Sequence, residues 1–338
     1  MKAALIKQFN RDFVIGEVDK PKIGKDEVLI KVKASCLCAA DISIRGGSIP
    51  TLKLPHIPGH EIAGEVVETG KAVKNRKIGD RVVVYMYTVC GLCPACISGR
   101  ENLCQNIVRM GLDTHGGHAE YAAVPERQAL LLPDNISYET GAAIPDAVST
   151  MLHAIRDQAR VKLNDYVLLI GIGGLGMQGI QLARLSGGRV IAVARHDAKL
   201  KAAEEEGAEW TFNGRDEKLV DKVMDVTGGR GADVVLDLVS SQETFQMAAD
   251  SVRKGGTIVV VGSFTRQINF QVLQVMFKEI EIRGSAGMKR DTVLDAIDLC
   301  RSGLVKPVVS EKYSLEEINQ AAARLSRGEI VGRSVIIP

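Results

Sequence analysis

Aromatic side chains are scarce in this sequence: phenylalanine, tyrosine and tryptophan make up 4% of it, and there is a single tryptophan. A surface built to stack on nucleic-acid bases would carry more of them. Excess charge is missing too, since 43 basic against 41 acidic residues leave a formal net charge of +2. A chain so balanced has no electrostatic reason to seek nucleic acid or an anionic membrane surface. No apolar run approaches the length of a membrane span; residues 166–170 and 257–261 are strand-sized. The opening residues Met1-Lys2-Ala3-Ala4-Leu5 lack the apolar core of a signal peptide, so the expectation is a cytoplasmic protein.

What is present points to an enzyme-sized globular chain. At 338 residues, 46% of them hydrophobic, two domains are the natural expectation. Up to about Pro145 the sequence shows short alternating strands broken by Gly and Pro, as at 27–32, 62–67 and 81–84. That pattern suits a small antiparallel barrel or sandwich. Beyond Ser149 the strands 166–170, 189–193, 233–237 and 257–261 alternate with helical stretches such as 198–206. This rhythm predicts right-handed βαβ units on a parallel sheet, hence an α/β protein. The tail is mixed, with helices near 292–301 and 315–327 and a closing strand at 334–337, and is read as completing the first domain.

Four of the seven cysteines, Cys90, Cys93, Cys96 and Cys104, follow the spacing C-x2-C-x2-C-x7-C. In a chain with no export signal, such grouping reads as metal ligation before disulfides. Four thiolates suit a closed tetrahedral zinc site with no position left for substrate, so this ion would be structural. The usual iron–sulfur run has a shorter last gap followed by Pro, whereas Gln105 follows Cys104.

The strand at 166–170 runs into Gly171-Ile172-Gly173-Gly174-Leu175-Gly176, at the start of a helical stretch. Glycines there permit a tight turn and let a pyrophosphate approach the helix N-terminus. After the next strand, where an acidic residue would bind ribose hydroxyls, the sequence reads Ala194-Arg195-His196. Arg195, helped by Lys199, suits a 2′-phosphate, so NADP is favoured over NAD. Asp197 is placed at a helix start.

Cys38 and the run Gly59-His60-Glu61 lie on separate loops and say little singly. Together with Asp41, the four-cysteine segment and the glycine motif, they resemble in order the zinc-containing alcohol dehydrogenases of the medium-chain dehydrogenase/reductase family, over essentially the whole chain to Val331-Gly332-Arg333-Ser334-Val335. The resemblance implies a GroES-like β-barrel catalytic domain (1–148 with 288–338, its zinc lobe near 90–104) and a Rossmann domain (149–287) with a doubly wound parallel sheet. It implies two zinc ions, the catalytic one held by Cys38, His60, Glu61 as a direct or alternating ligand, and Asp146. Asp41 would orient the histidine, and Thr150 would pack on the nicotinamide. Val261, Gly262, Ser263, Ser285 and Ala286 would line that ring, while Arg333 would reach the pyrophosphate. Cys36 has no counterpart role and reads as a packing residue. Homodimers or homotetramers are the family habit.

One position departs from the family. Two residues after Cys38, where a Ser or Thr usually begins a proton relay, stands Ala40. His56, His115 and His118 are the loop candidates to replace it, each also readable as a solvated histidine. Three functions follow: an alcohol dehydrogenase or carbonyl reductase acting on a small alcohol, aldehyde or ketone; an enoyl reductase acting on an enone; and a non-catalytic nucleotide binder. Retention of four metal donors weighs against the last.

Overall fold

The computed structural model describes residues 1–262 and 267–338. They fall into two compact units, Met1–Ser149 with Met288–Pro338, and Thr150–Gly287. Ser263 lies outside the described residues. No helix among those described is long and apolar enough to cross a membrane.

The first unit is built on a seven-stranded sheet. Its path runs Val309–Ser314, Arg333–Ile337, Glu27–Leu37, Glu61–Thr69, Arg81–Val84 and Ala129–Leu131, with Tyr121–Pro125 also paired to Glu27–Leu37. The pairing is antiparallel except between the two tail strands. The central strand extends five residues past the expected 27–32, because Ala34, Ser35, Cys36 and Leu37 are all buried between neighbours on both sides. Register then decides what meets at its end: Cys36 pairs with Glu61 on one side and with Val335 on the other. Cys38, Glu61 and Arg333 are thereby delivered to one place by three adjacent strands. The four-cysteine segment is a loop closed at its base by the two-stranded ribbon Tyr87–Thr88 and Val108–Arg109.

The second unit is an all-parallel six-stranded sheet. In chain order its strands are Tyr166–Ile170, Arg189–Ala194, Trp210–Asn213, Ala232–Asp237, Val252–Val260 and Glu281–Gly284. Across the sheet they stand third, second, first, fourth, fifth, sixth. Leu168, Ile170, Ile191, Val193, Val235 and Ile258 bury one face against Leu219, Val223 and Phe245 of the covering helices. Strand order reverses between the first and fourth strands, and open sheets of this kind bind ligands at that point, beyond the strands' carboxyl ends. Gly171 follows the first strand there, with φ +103°, a conformation that penalises any side chain.

The glycines of this turn serve different ends. A Cβ on Gly176 would sit 2.3 Å from the Gly171 carbonyl oxygen, so the helix Gly174–Leu185 packs on the turn only because that position is bare. A Cβ on Gly173 would meet nothing within 4 Å. Gly176→Ala is therefore expected to cost about 1–3 kcal/mol of stability by overpacking, and Gly173→Ala under about 1 kcal/mol as a weaker helix cap. Urea unfolding of both variants checks this; equal or reversed costs would contradict it.

Candidate functional site

The four-cysteine loop brings its sulfurs together. Cys90 Sγ lies 3.9 Å from Cys96 Sγ and 3.5 Å from Cys104 Sγ, and Cys93 Sγ lies 3.6 Å from Cys96 Sγ. Tetrahedral zinc with bonds of about 2.3 Å requires sulfurs about 3.8 Å apart, so the spacing fits that ion. Backbone N–H groups aim at the sulfurs: Cys93 N donates to Cys90 Sγ and Cys90 N to Cys104 Sγ, both at 3.4 Å. The backbone amides of Cys96 and Gln105 lower the Cys93 thiol to about 6, favouring the thiolate a metal needs.

A second cluster forms where the three strands meet. Cys38, His60, Glu61 and Asp146 each present a donor atom, and these atoms lie within 4.8 Å of one another. Cys38 precedes the helix Ala39–Arg45, and Glu61 opens its strand. Asp146 sits on the π-turn Ile144–Val148, a distortion frequent at functional sites. His60 Nε2 is 3.9 Å from both Glu61 Oε1 and Asp146 Oδ2. Both Glu61 carboxylate oxygens are buried and accept no hydrogen bond among the described residues. Buried carboxylates lacking donors are exceptional, and a cation among these four donors would satisfy them. The mixed sulfur, nitrogen and oxygen set suits zinc with an exchangeable position.

Asp41 ties the ligand segments together. As the third residue of its helix it turns back, and Oδ2 accepts from Cys38 N at 2.8 Å. Oδ1 accepts from Gly59 N at 3.1 Å and stands 3.5 Å from His60 Nδ1. Although burial works the other way, His60 and His118 hold the Asp41 carboxyl far below its ordinary value. Burial likewise opposes a charged His60, but Asp41 and Asp146 raise it well above the ordinary imidazole.

Arg333, assigned by resemblance to the pyrophosphate, is 4% exposed and has its guanidinium among these carboxylates. Nη2 is 2.9 Å from Asp146 Oδ2 and 2.7 Å from Glu61 Oε1, the latter an ionic contact without hydrogen-bond geometry. A buried and a half-buried carboxylate side by side demand a cation. The sequence carried a hint of it: a charged residue opening the buried strand Arg333–Ile337 needs a partner inside.

The relay candidates separate. His115 is exposed, and its Nδ1 accepts the Ile57 N–H at 3.2 Å. His56 is buried with Nε2 3.0 Å from Gly111 O, and His118 is fully buried with Nε2 3.4 Å from Asp41 Oδ2. Neither of these two is the solvated loop histidine allowed for above. Both are enclosed because strands and turns from 4–6 and 56–60 close over them.

In the second unit Gly171, Gly173, Gly174, Leu175 and Gly176 form the turn and the first residues of the helix Gly174–Leu185. The open space at Gly173 and the unsatisfied N–H groups of a helix start fit a dinucleotide's pyrophosphate. Arg195 is exposed just past its strand, His196 caps the helix Asp197–Glu205, and Lys199 lies in the first turn. Burial, then the nearby Arg195 cation, lowers the Lys199 ammonium. Val261 N and Gly262 N both donate to Asp237 O, at 3.0 and 3.1 Å. Thr150 is buried, as is Ser285, whose Oγ has no hydrogen-bond partner among the described residues; Ala286 follows it.

Residues 24–134 match the family model for the alcohol dehydrogenase GroES-like domain, and residues 174–302 match that for zinc-binding dehydrogenase. An alcohol dehydrogenase of Geobacillus stearothermophilus is 36% identical, with 99% of this chain and 98% of that protein covered. An NAD-dependent alcohol dehydrogenase of Sulfurisphaera tokodaii is 30% identical, with both chains covered in full. The crystal structure of a zinc-binding dehydrogenase of Sinorhizobium meliloti bound to NADP superposes with a TM-score of 0.89 at 30% identity, covering 100% of this chain and 99% of that one.

Cys93→Ser is expected to remove one zinc per chain and lower the unfolding temperature while leaving metal at the Cys38–His60 cluster. Metal analysis with thermal unfolding checks it; unchanged stability together with loss of the other ion would contradict the structural assignment.

Proposed function

Since the chain belongs to the zinc-binding alcohol dehydrogenase family, we propose that it transfers a hydride between NADP(H) and a small alcohol or carbonyl compound. The observation that carries this reading is the convergence of thiolate, imidazole and two carboxylates within 4.8 Å. Cys38, His60 and Asp146 would hold zinc, with Glu61 free to exchange between it and Arg333. When bound, zinc supplies Lewis acidity, which lowers the pKa of an alcohol or polarises a carbonyl. The oxidised substrate loses a hydride from carbon and a proton from oxygen; the hydride reduces the nicotinamide and the proton leaves to solvent.

The chain's own residues set the conditions for that exchange. Asp41 fixes the imidazole ligand and the Cys38 loop, so the donors need no rearrangement as charge develops. Arg333 neutralises Glu61 and Asp146, which keeps surplus negative charge from opposing an alkoxide. The bare Gly173 and the helix start behind it bind pyrophosphate. Arg195 and Lys199 pair with the 2′-phosphate, where a carboxylate would repel it. Thr150, Val261, Gly262, Ser263, Ser285 and Ala286 are assigned to the nicotinamide. Assembly as a homodimer or homotetramer is part of the proposal.

One observation favours a second reading. Ala40 has no hydroxyl to pass a proton from substrate oxygen, and reduction of an activated C=C bond needs less help there. A substrate panel read at the NADPH absorbance band, with and without a zinc chelator, separates the two. Chelator-sensitive turnover of alcohols or carbonyls supports hydride exchange at C–O, and turnover of α,β-unsaturated compounds alone would replace it with enoyl reduction.

Arg195→Asp is expected to lower the NADPH-over-NADH preference roughly tenfold or more, since a hydrogen bond to a charged group is worth about 1.5–3 kcal/mol. The ratio of kcat/KM for the two cofactors checks this. An unmoved ratio would overturn the NADP assignment.

A further inference from the structure

His118 is a buried polar side chain that the proposed chemistry does not use. It is 0% exposed. Its Nδ1 has no hydrogen-bond partner among the described residues, and its Nε2 faces Asp41 Oδ2 at 3.4 Å. A neutral imidazole carries one N–H. Placed on Nε2, that proton is shared with a carboxylate in a dry site, where such a bond is worth most.

The backbone holds this ring rigidly against the segment that carries His60. His118 N donates to Pro58 O at 3.0 Å, and His118 O accepts from Ala4 N at 2.9 Å. Gly59 has φ +100°, and a Cβ there would lie 2.7 Å from His118 N and 2.8 Å from its ring. Only glycine lets the two segments come so close.

Asp41 therefore gathers two backbone N–H groups and faces two imidazoles. Oδ1 takes Gly59 N and faces His60; Oδ2 takes Cys38 N and faces His118. The two amides belong to the segments that present Cys38 and His60. Remove the donor at position 118 and Oδ2 keeps a single bond, to Cys38 N, so the carboxylate is held less firmly in the geometry that faces His60 Nδ1.

We propose that His118 is a positioning residue for the catalytic metal: its Nε2–H fixes Asp41, and Asp41 fixes the Cys38 and His60 segments around the ion. This rests on the reading that Cys38, His60, Glu61 and Asp146 hold zinc. His118 is then no relay to solvent, since it is sealed from water and spends its proton on Asp41.

The test uses the full-length protein loaded with zinc, or with cobalt(II) as a spectroscopic probe, challenged with a chromogenic chelator. His118→Phe keeps the ring volume and loses the donor. It is expected to speed metal loss from the Cys38–His60 cluster by about 10–100-fold, the usual cost of losing a partner behind a ligand, and to alter the cobalt ligand-field bands. The ion among the four cysteines should leave at the wild-type rate. His118→Gln, which can place an amide N–H near the Nε2 position, should recover most of the loss.

An unchanged rate and spectrum in the Phe variant would overturn the inference, and so would a Gln variant as leaky as Phe. If the Phe variant fails to fold, nitrogen NMR of the wild-type ring decides: a proton on Nε2 supports the role, and a proton on Nδ1 alone overturns it. A wild-type chain that binds a single ion, undisturbed by Cys38→Ser, would overturn the proposed function and this inference with it. Two ions in the wild type with no effect at position 118 would overturn this inference alone.

Discussion

A carboxylate removed from water has to be met by donors, and Asp41 is met from four directions. Its partners are the amides of Cys38 and Gly59 and the rings of His60 and His118. Ionised and fully buried, such a group is tolerated only when each lone pair is answered. The requirement works in reverse as well: the segments that carry Cys38 and Gly59 must stay where Asp41 can reach them. The cluster of Cys38, His60, Glu61 and Asp146 is thus held by a group that is not one of its members. Around it, strand register places Glu61 opposite Cys36 and Val335 opposite the same residue, so sheet pairing and ion pairing agree on one geometry.

The second unit answers a different demand with equal economy of means. A pyrophosphate needs backbone N–H groups and no side chain in the way. The turn after Tyr166–Ile170 supplies both, with Gly176 bare because the turn's own carbonyl approaches it and Gly173 bare with open space in front. Gly176 is bare for packing and Gly173 faces open space, a distinction that spacing alone does not draw. Arg195 and Lys199 give that end of the sheet a positive character where an acidic residue would favour NAD.

Much of this was legible in the sequence where chemistry is dense. The cysteine spacing and the strand–glycine–helix sequence announced themselves, because few other uses of those residues share the pattern. The long apolar strands of the second unit were equally plain. Trp210–Asn213 and Glu281–Gly284 were not, being four-residue edge strands, half-exposed and without a continuous apolar run. Arg333, Glu61 and Asp146 were each named from the resemblance, but their contact with one another was not. That contact depends on register between strands separated by nearly the whole chain. His118 posed the hardest case. A histidine that follows two glycines reads as a solvated turn, and only the closing of 4–6 and 56–60 over it makes it a buried donor.

The most direct measurement is anomalous diffraction from crystals of the purified protein on either side of the zinc absorption edge. Two peaks per chain are expected, one among Cys90, Cys93, Cys96 and Cys104 and one among Cys38, His60 and Asp146. A protein that reduces its substrate with scattering from the four cysteines alone would contradict the central claim.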